Sequence, residues 1–228
     1  TTGRHWLGTD ALGRDVLARL IYGARISLLV GFVSVAIAAP IGILFGLVAG
    51  YVGDAVDHAL MGMVDVQLAI PTILLAIAVV TVLGPGVVNV IASLSIAGWP
   101  TYARLVRSET VVAIHRDYVE AARAIGARHT RIVLRHVLPN VLTPALVFAT
   151  FAVADMIVLE ATLSFLGLGV PARVVTWGSM LNDGRQYLAT AWWIGLFPGL
   201  AIFLTVLGIN LIGDALRDRL DPRLRNTL

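Results

Sequence analysis

The sequence predicts an all-α membrane protein, and three observations carry that prediction. Hydrophobic residues make up 58% of the 228 positions and charged residues only 14%, whereas a soluble domain carries about 25% charged residues. Mean hydropathy is +0.86. The apolar residues gather into five stretches, each long enough for the roughly 20 residues that a helix needs to cross the hydrocarbon core.

Taken in order, Thr9–Arg25 reads as a short amphipathic helix capped by Thr9 or Asp10, with Leu12, Val16, Leu20 and Ile21 on one face. Its expected place is flat on the outer membrane surface, so that residues 1–25 form a lead-in. The membrane domain is expected over 26–214, followed by a tail at 215–228. Its first span runs from Ile26 to Gly50 and carries Ala38, Gly42, Gly46 and Gly50 at four-residue spacing. Such a ridge lets helices approach closely, either within the chain or against a second subunit.

The second span runs from Leu60 to Leu83, with Pro71 expected to kink it. A Gly84-Pro85-Gly86 turn leads into the third, Val87 to Val106. The fourth covers Val141 to Leu166 and stops at a Gly-Leu-Gly-Val-Pro signal, and the fifth covers Trp192 to Ile212. Between them lies a loop, Val170–Thr190, whose Trp177 and Tyr187, with Trp192 and Trp193 beyond, suit a membrane–water interface.

Five crossings divide the arginines unequally. Arg4, Arg14, Arg19, Arg25, Arg173 and Arg185 fall on one side; Arg104, Arg107, Arg116, Arg123, Arg128, Arg131, Arg135, Arg217, Arg219, Arg223 and Arg225 fall on the other. The richer side is expected to be cytoplasmic, with the C-terminus, and residue 1 outside. Thr1–Asp10 is too polar for a signal peptide. One further spanning helix ahead of residue 1 is therefore expected, returning the N-terminus to the cytoplasm.

Composition also excludes chemistry. All 17 basic residues are arginine, so no P-loop or Schiff-base lysine exists and the chain is not itself a P-loop ATPase. There is no cysteine for a thiolate site. His5, His58, His115, His129 and His136 show no metal-binding spacing. The basic residues lie beside apolar segments, which argues for membrane topology and against nucleic acid.

The segment 117–140, DYVEAARAIGARHTRIVLRHVLPN, interrupts the apolar pattern. Asp117 with Glu120 resembles a capping box and Gly126 a C-terminal helix stop, which predicts a helix over Tyr118–Ile125. Tyr118, Ala121, Ala122 and Ile125 would share one shallow face, too small to sustain two turns without a packing partner. His129–Val137 would add a basic helix along anionic headgroups before Pro139 opens the next span. By pattern alone the segment is either a docking lever or a basic interfacial loop.

Ionisable groups within spans are candidates for a transport path, namely Asp65, Asp155 and Glu160. Glu160, near an outer helix end, could face water or Arg173 and either gate or stabilise. Asp155 lies deeper and should face a cavity or be protonated. Gln67, Asn89 and Asn210 suit interhelical hydrogen bonds.

The string EAARAIGARHTRIVLRHVLP resembles the EAA motif of permease subunits in binding-protein-dependent ABC importers. Glu120, Ala121, Ala122, Gly126, Leu138 and Pro139 match at full spacing, and His136 stands where the general motif has isoleucine. HWLGTDALGRDVLARLIYGARISL (5–28), EATLSFLGLGVP (160–171) and GDALRDRLDPRL (213–224) resemble the second permease subunit of dipeptide and oligopeptide importers. The resemblance implies a type I importer (MetI-like) bundle in a bacterial cytoplasmic membrane. It also implies a homologous second permease subunit, two ATPase subunits, an extracytoplasmic substrate-binding protein, and ATP and Mg held by the ATPases, with no cofactor in this chain. Segment 117–140 would then be the coupling segment, and the cargo a peptide, a nickel chelate or glutathione. Two other classes are a proton-coupled carrier, which leaves segment 117–140 without a task, and an intramembrane hydrolase, for which no nucleophile arrangement is present.

Overall fold

The computed structural model describes residues 5–220, which are helical apart from their connections. The outward placement of residue 1 and the expected tail beyond Leu220 lie outside the described residues. The helices are α1 (Val16–Val52), α2 (Asp54–Leu68), α3 (Thr72–Leu83), α4 (Val87–Ala113), α5 (Asp117–Ala124), α6 (His129–Ile132), α7 (Leu138–Phe165), α8 (Trp177–Gly184) and α9 (Trp193–Leu220). All five apolar stretches are helical. Three helical segments, Val16–Val52, His129–Phe165 and Trp193–Leu220, are long and apolar enough to cross a membrane, and the α2–α3 pair makes up to four. At 27 residues α4 is also about 40 Å long, but Arg104, Arg107 and Glu109 occupy its last third.

Three local expectations change. No separate helix forms over Thr9–Arg25; α1 starts at Val16, where the Asp15 carboxylate accepts from the Leu17 N–H, and runs unbroken for 37 residues. Asp10 instead closes a tight turn, accepting from the N–H groups of Leu12 and Arg14, both at 2.9 Å. Its short side chain competes with the helix for the local donors and wins.

The second stretch is two helices bent by 86° at Ala69–Pro71, a sharper break than the expected kink. Proline lacks an N–H and disfavours the helical region for the residue before it. The third change is at α6, which passes through a π-helical turn, Val133–Val137, directly into α7. The basic stretch is thus the first part of a 37-residue helix.

The bundle is organised about α1 against α4. A Cβ on Gly42 would collide with the Trp99 carbonyl and Tyr102, one on Gly46 with the Ala103 carbonyl, and one on Gly50 would come within 2.7 Å of Thr110. The small-residue ridge is therefore filled by this chain's own α4. Leu94, Val90, Val30, Val35, Ile157 and Tyr102 extend that contact into the main core with α7.

At the end away from the arginine-rich segment, α8 docks on α7, with Gly178 against the Ala161 backbone. Trp177 donates its indole N–H to the Leu20 carbonyl (3.0 Å) and Trp193 donates to the Thr9 carbonyl (3.1 Å). The loop expected over Val170–Thr190 thus contains a helix, begun by a capping box between Thr176 and Ser179.

An ion network ties the lead-in to α8: Arg19 bridges Asp10 (2.5 Å) and Asp183 (2.8 Å), and Arg14 pairs with Asp10 (2.7 Å). Burial pushes the Asp10 carboxyl up, but the N–H groups of Arg14 and Leu12 and the two guanidinium groups more than offset it. Its pKa lies below the ordinary carboxylate value, so this anchor is intact above about pH 4 and is lost as pH falls through the lower folded value. Hydrogen exchange of residues 5–15, taken relative to the intrinsic rate at each pH, is expected to accelerate on acidification in the wild type. In Asp10→Asn it should be fast throughout; equal protection in both would remove the anchoring role.

Candidate functional site

The segment 117–140 folds as its chemistry directs. Arg116, in extended conformation, is the N-cap of α5 and makes no side-chain cap bond, so the capping box expected from Asp117 and Glu120 does not form. Both carboxylates lie in the first turn, where they complement the positive helix end. The helix ends in a Schellman motif: the Ala127 N–H donates to the Ala122 carbonyl (3.0 Å) and the Gly126 N–H to the Arg123 carbonyl (2.9 Å). Gly126 has φ +78°, as that turn requires.

The faces of α5 differ from the expected ones in one residue. Ala122 points inward with Val119, and both are buried, because i and i+3 lie on one face. They join Ile132, Val137 and Val141 of the α6–α7 helix, Leu47 of α1, and Val106 and Ala113 of α4 in a second apolar cluster. Tyr118 (43% exposed), Ala121 and Ile125 (85% exposed) form the outer face, with Glu120 and Arg123 exposed beside them.

Two aromatic–histidine contacts brace the segment. The Tyr51 hydroxyl, at the end of α1, hydrogen-bonds with His129 Nδ1 at 2.8 Å, and Tyr118 lies 6.3 Å from the His136 ring. His136 is half-buried in the π turn, and its carbonyl accepts from the Asn140 side chain at 2.6 Å. Leu138 packs on the second cluster, while Pro139 directly follows the π-helical turn, where the regular helical hydrogen-bond ladder is already interrupted.

The three carboxylates in the spans have different surroundings. Asp65 is not isolated in the bilayer depth: it is exposed and ion-paired with Arg104 at 2.5 Å, while the neighbouring Asp57 takes the forked guanidinium of Arg107. Glu160 is fully buried, away from both water and Arg173. It accepts from Ser27 (3.0 Å) and Ser164 (2.7 Å), and Ser27 Oγ in turn accepts from the Trp177 N–H (3.2 Å). This chain of bonds fastens α1, α7 and α8 at one point.

Asp155 is exposed and, unlike Asp65, has no arginine partner among the described residues. It lines a cleft of about 480 Å³ between α3, α4 and α7, with Thr72, Thr101, Tyr102, Phe148 and Met156 on its walls. Gln67 reaches across helices to the Ile96 carbonyl, whereas Asn89 caps its own turn through the carbonyls of Leu83 and Gly84. Among the described residues no group of three His, Asp or Glu converges on a metal position.

Some of these positions carry a signal in the sequence and others carry none. Val119 and Ala122 stand at helical spacing, but the four-residue apolar set hides which part of it faces inward. Ser27 has nothing local to link it to Glu160 across 133 residues.

The family model described as "Binding-protein-dependent transport system inner membrane component" matches residues 42–226. The chain is 48% identical over 223 residues to the di/tripeptide transport system permease protein DppC of Pseudomonas aeruginosa strain UCBPP-PA14, covering 98% of this chain and 74% of that protein. It is 46% identical over 222 residues to the glutathione transport system permease protein GsiD of Pectobacterium atrosepticum, covering 97% and 74%. The fold is similar to a solved inward-facing MetNI methionine ABC transporter, with TM-score 0.73 at 22% identity over 90% of this chain and 97% of that one. A solved amino acid ABC transporter matches with TM-score 0.70 at 15% identity over 89% and 94%.

Proposed function

The chain belongs to the family of binding-protein-dependent transport system inner membrane components, and we propose that it is one permease subunit of an ATP-driven importer of di- and oligopeptides in a bacterial cytoplasmic membrane. One observation carries the mechanism: α5 is a short, firmly terminated helix whose inner face joins an apolar cluster with residues of three long helices and whose outer face has no cover among the described residues. A rigid body of this kind transmits displacement.

In this reading Tyr118, Ala121 and Ile125 sit in a groove of a cytoplasmic ATPase subunit, with Glu120 making a polar contact at its rim. Closure of two ATPase subunits on ATP draws α5 toward its counterpart in a homologous second permease. Val119 and Ala122 pass the movement to α1, α4 and the α6–α7 helix through close packing, which does not deform continuously. The helices rock and the path alternates between inward and outward access. Gly126 sets the angle of the lever, and His136, Leu138 and Pro139 begin the helix that it drives.

Cargo arrives on an extracytoplasmic binding protein that contacts the surface around residues 5–15 and α8. Asp155 lines the path, Glu160 holds its frame, and the Asp65–Arg104 pair ties α2 to α4 at the ATPase end. Bond chemistry, with ATP and Mg, belongs to the ATPase subunits. The glutathione and di/tripeptide relatives both support a peptide-like cargo. A proton-coupled carrier would leave the uncovered face of α5 without a task.

The test is reconstitution. Proteoliposomes holding this subunit with its second permease and ATPases are expected to accumulate labelled dialanine when loaded binding protein is outside and ATP inside. This chain alone should accumulate none. Uptake by the isolated chain, or uptake driven by a proton gradient without ATP, would overturn the reading.

A further inference from the structure

Two unpartnered polar groups stand at the Asp155 cleft, one open to it and one enclosed beside it. Among the described residues the Asp155 carboxylate has no ion pair and no hydrogen bond, although Asp10, Asp57, Asp65 and Asp183 all pair with arginine. It lies about 15 Å from the Phe165 end of α7, at 1.5 Å per residue, where an unpaired charge is costly unless water or a cation reaches it. The second group is the Tyr102 hydroxyl. Tyr102 is 1% exposed, and its hydroxyl is buried with no hydrogen-bond partner among the described residues.

Tyr102 is fixed by the packing of α1 on α4 and by an edge-on contact with Phe148 at 4.9 Å between ring centres. It cannot swing away to find another acceptor or donor. Asp155 is exposed in the cleft, which Thr72, Thr101, Tyr102, Phe148 and Met156 also line, whereas the Tyr102 hydroxyl itself stays enclosed. The volume of about 480 Å³ falls in the range of small-molecule sites, roughly 300–1,000 Å³. Among the described residues no arginine lines it. The electrostatics therefore favour a cation and disfavour an anion.

We propose that this cleft is a transient binding station on the transport path for a protonated primary amine, the α-ammonium group of a short peptide, with Asp155 as counter-ion. The inference rests on the importer reading and adds to it a cargo requirement inside the membrane: a free amino end near Asp155, with the peptide's carboxylate directed away. The half-buried Phe148 and the exposed Val158 line the cleft with apolar surface that carries no polar group to select among side chains.

The experiment uses the complete transporter in proteoliposomes, with binding protein and labelled dialanine, and follows uptake and ATP hydrolysis together. Asp155→Asn keeps the shape and removes the charge; uptake is expected to fall at least about tenfold, the loss of a charged hydrogen bond, while stimulation of hydrolysis by loaded binding protein persists. Asp155→Glu should restore most of the rate. Asp155→Asn uptake within about twofold of wild type would overturn the station and leave the importer reading standing. Parallel loss of hydrolysis in Asp155→Asn, with Asp155→Glu equally impaired, would assign the residue to folding and overturn it too. Absence of ATP-driven uptake in the wild type would remove both readings.

Discussion

Replacing Gly126 with valine is expected to abolish ATP-driven uptake and the stimulation of hydrolysis by loaded binding protein, while the subunit still inserts and assembles. Nothing lies within 4 Å of a Cβ placed there, so the effect is not steric crowding. It is conformational: φ is +78°, and a left-handed residue with a side chain costs about 1–2 kcal/mol, more when β-branched. α5 is held by Val119 and Ala122 inside, by the Tyr118–His136 contact and by its two terminal hydrogen bonds. Relief of the strain therefore breaks the Schellman motif and turns the outer face away from the ATPase. The spans are untouched, and thermal stability in detergent should change little. Gly126→Asn, which tolerates this conformation, should retain much of the uptake. Unchanged uptake in Gly126→Val would remove the lever from the mechanism.

The second large effect lies in the frame. Gly46→Leu is expected to prevent recovery of folded subunit, since its Cβ would overlap the Ala103 carbonyl and come within 2.8 Å of the Arg107 nitrogen. Backbone cannot give way as a side chain can. Overpacking a fitted contact costs typically about 1–3 kcal/mol and here should exceed that range, because α1 and α4 must separate along their shared length. Gly62→Ala supplies the control: Gly62 is exposed, with nothing within 4 Å, and alanine favours helix by about 1 kcal/mol over glycine. Size-exclusion recovery and melting temperature in detergent should separate the two sharply. Equal behaviour would mean that the ridge is not a close helix contact.

The candidate site is partly legible in the sequence. Gly126 announces its helix stop because only glycine commonly takes the required conformation, and the proline at 71 announces a break because its effect is local. The size of that break, 86°, is not local, since a kink is limited by what packs around it. Asp10 and Asp117 resemble helix starters for a related reason. A short carboxylate can cap several turns, and the true cap at Asp15 is selected by where α1 meets α8. At segment 117–140 the shallow face is visible as spacing, but its division into Val119 and Ala122 inside, and Tyr118, Ala121 and Ile125 outside, needs the second apolar cluster.

By itself the sequence determined the all-helical membrane class, the positions of the apolar stretches, the absence of lysine and cysteine chemistry, and a specific motif resemblance. Each of these follows from composition, from periodicity along one segment, or from strings of neighbouring residues. Only the tertiary structure decided that the glycine ridge is filled by α4, that Glu160 is held by Ser27 and Ser164, that Asp65 is neutralised by Arg104, and that Asp155 stands open beside an unpartnered Tyr102. Those outcomes depend on which surfaces meet across many residues of chain, and a carboxylate's role in a membrane is set by the partner it finds there.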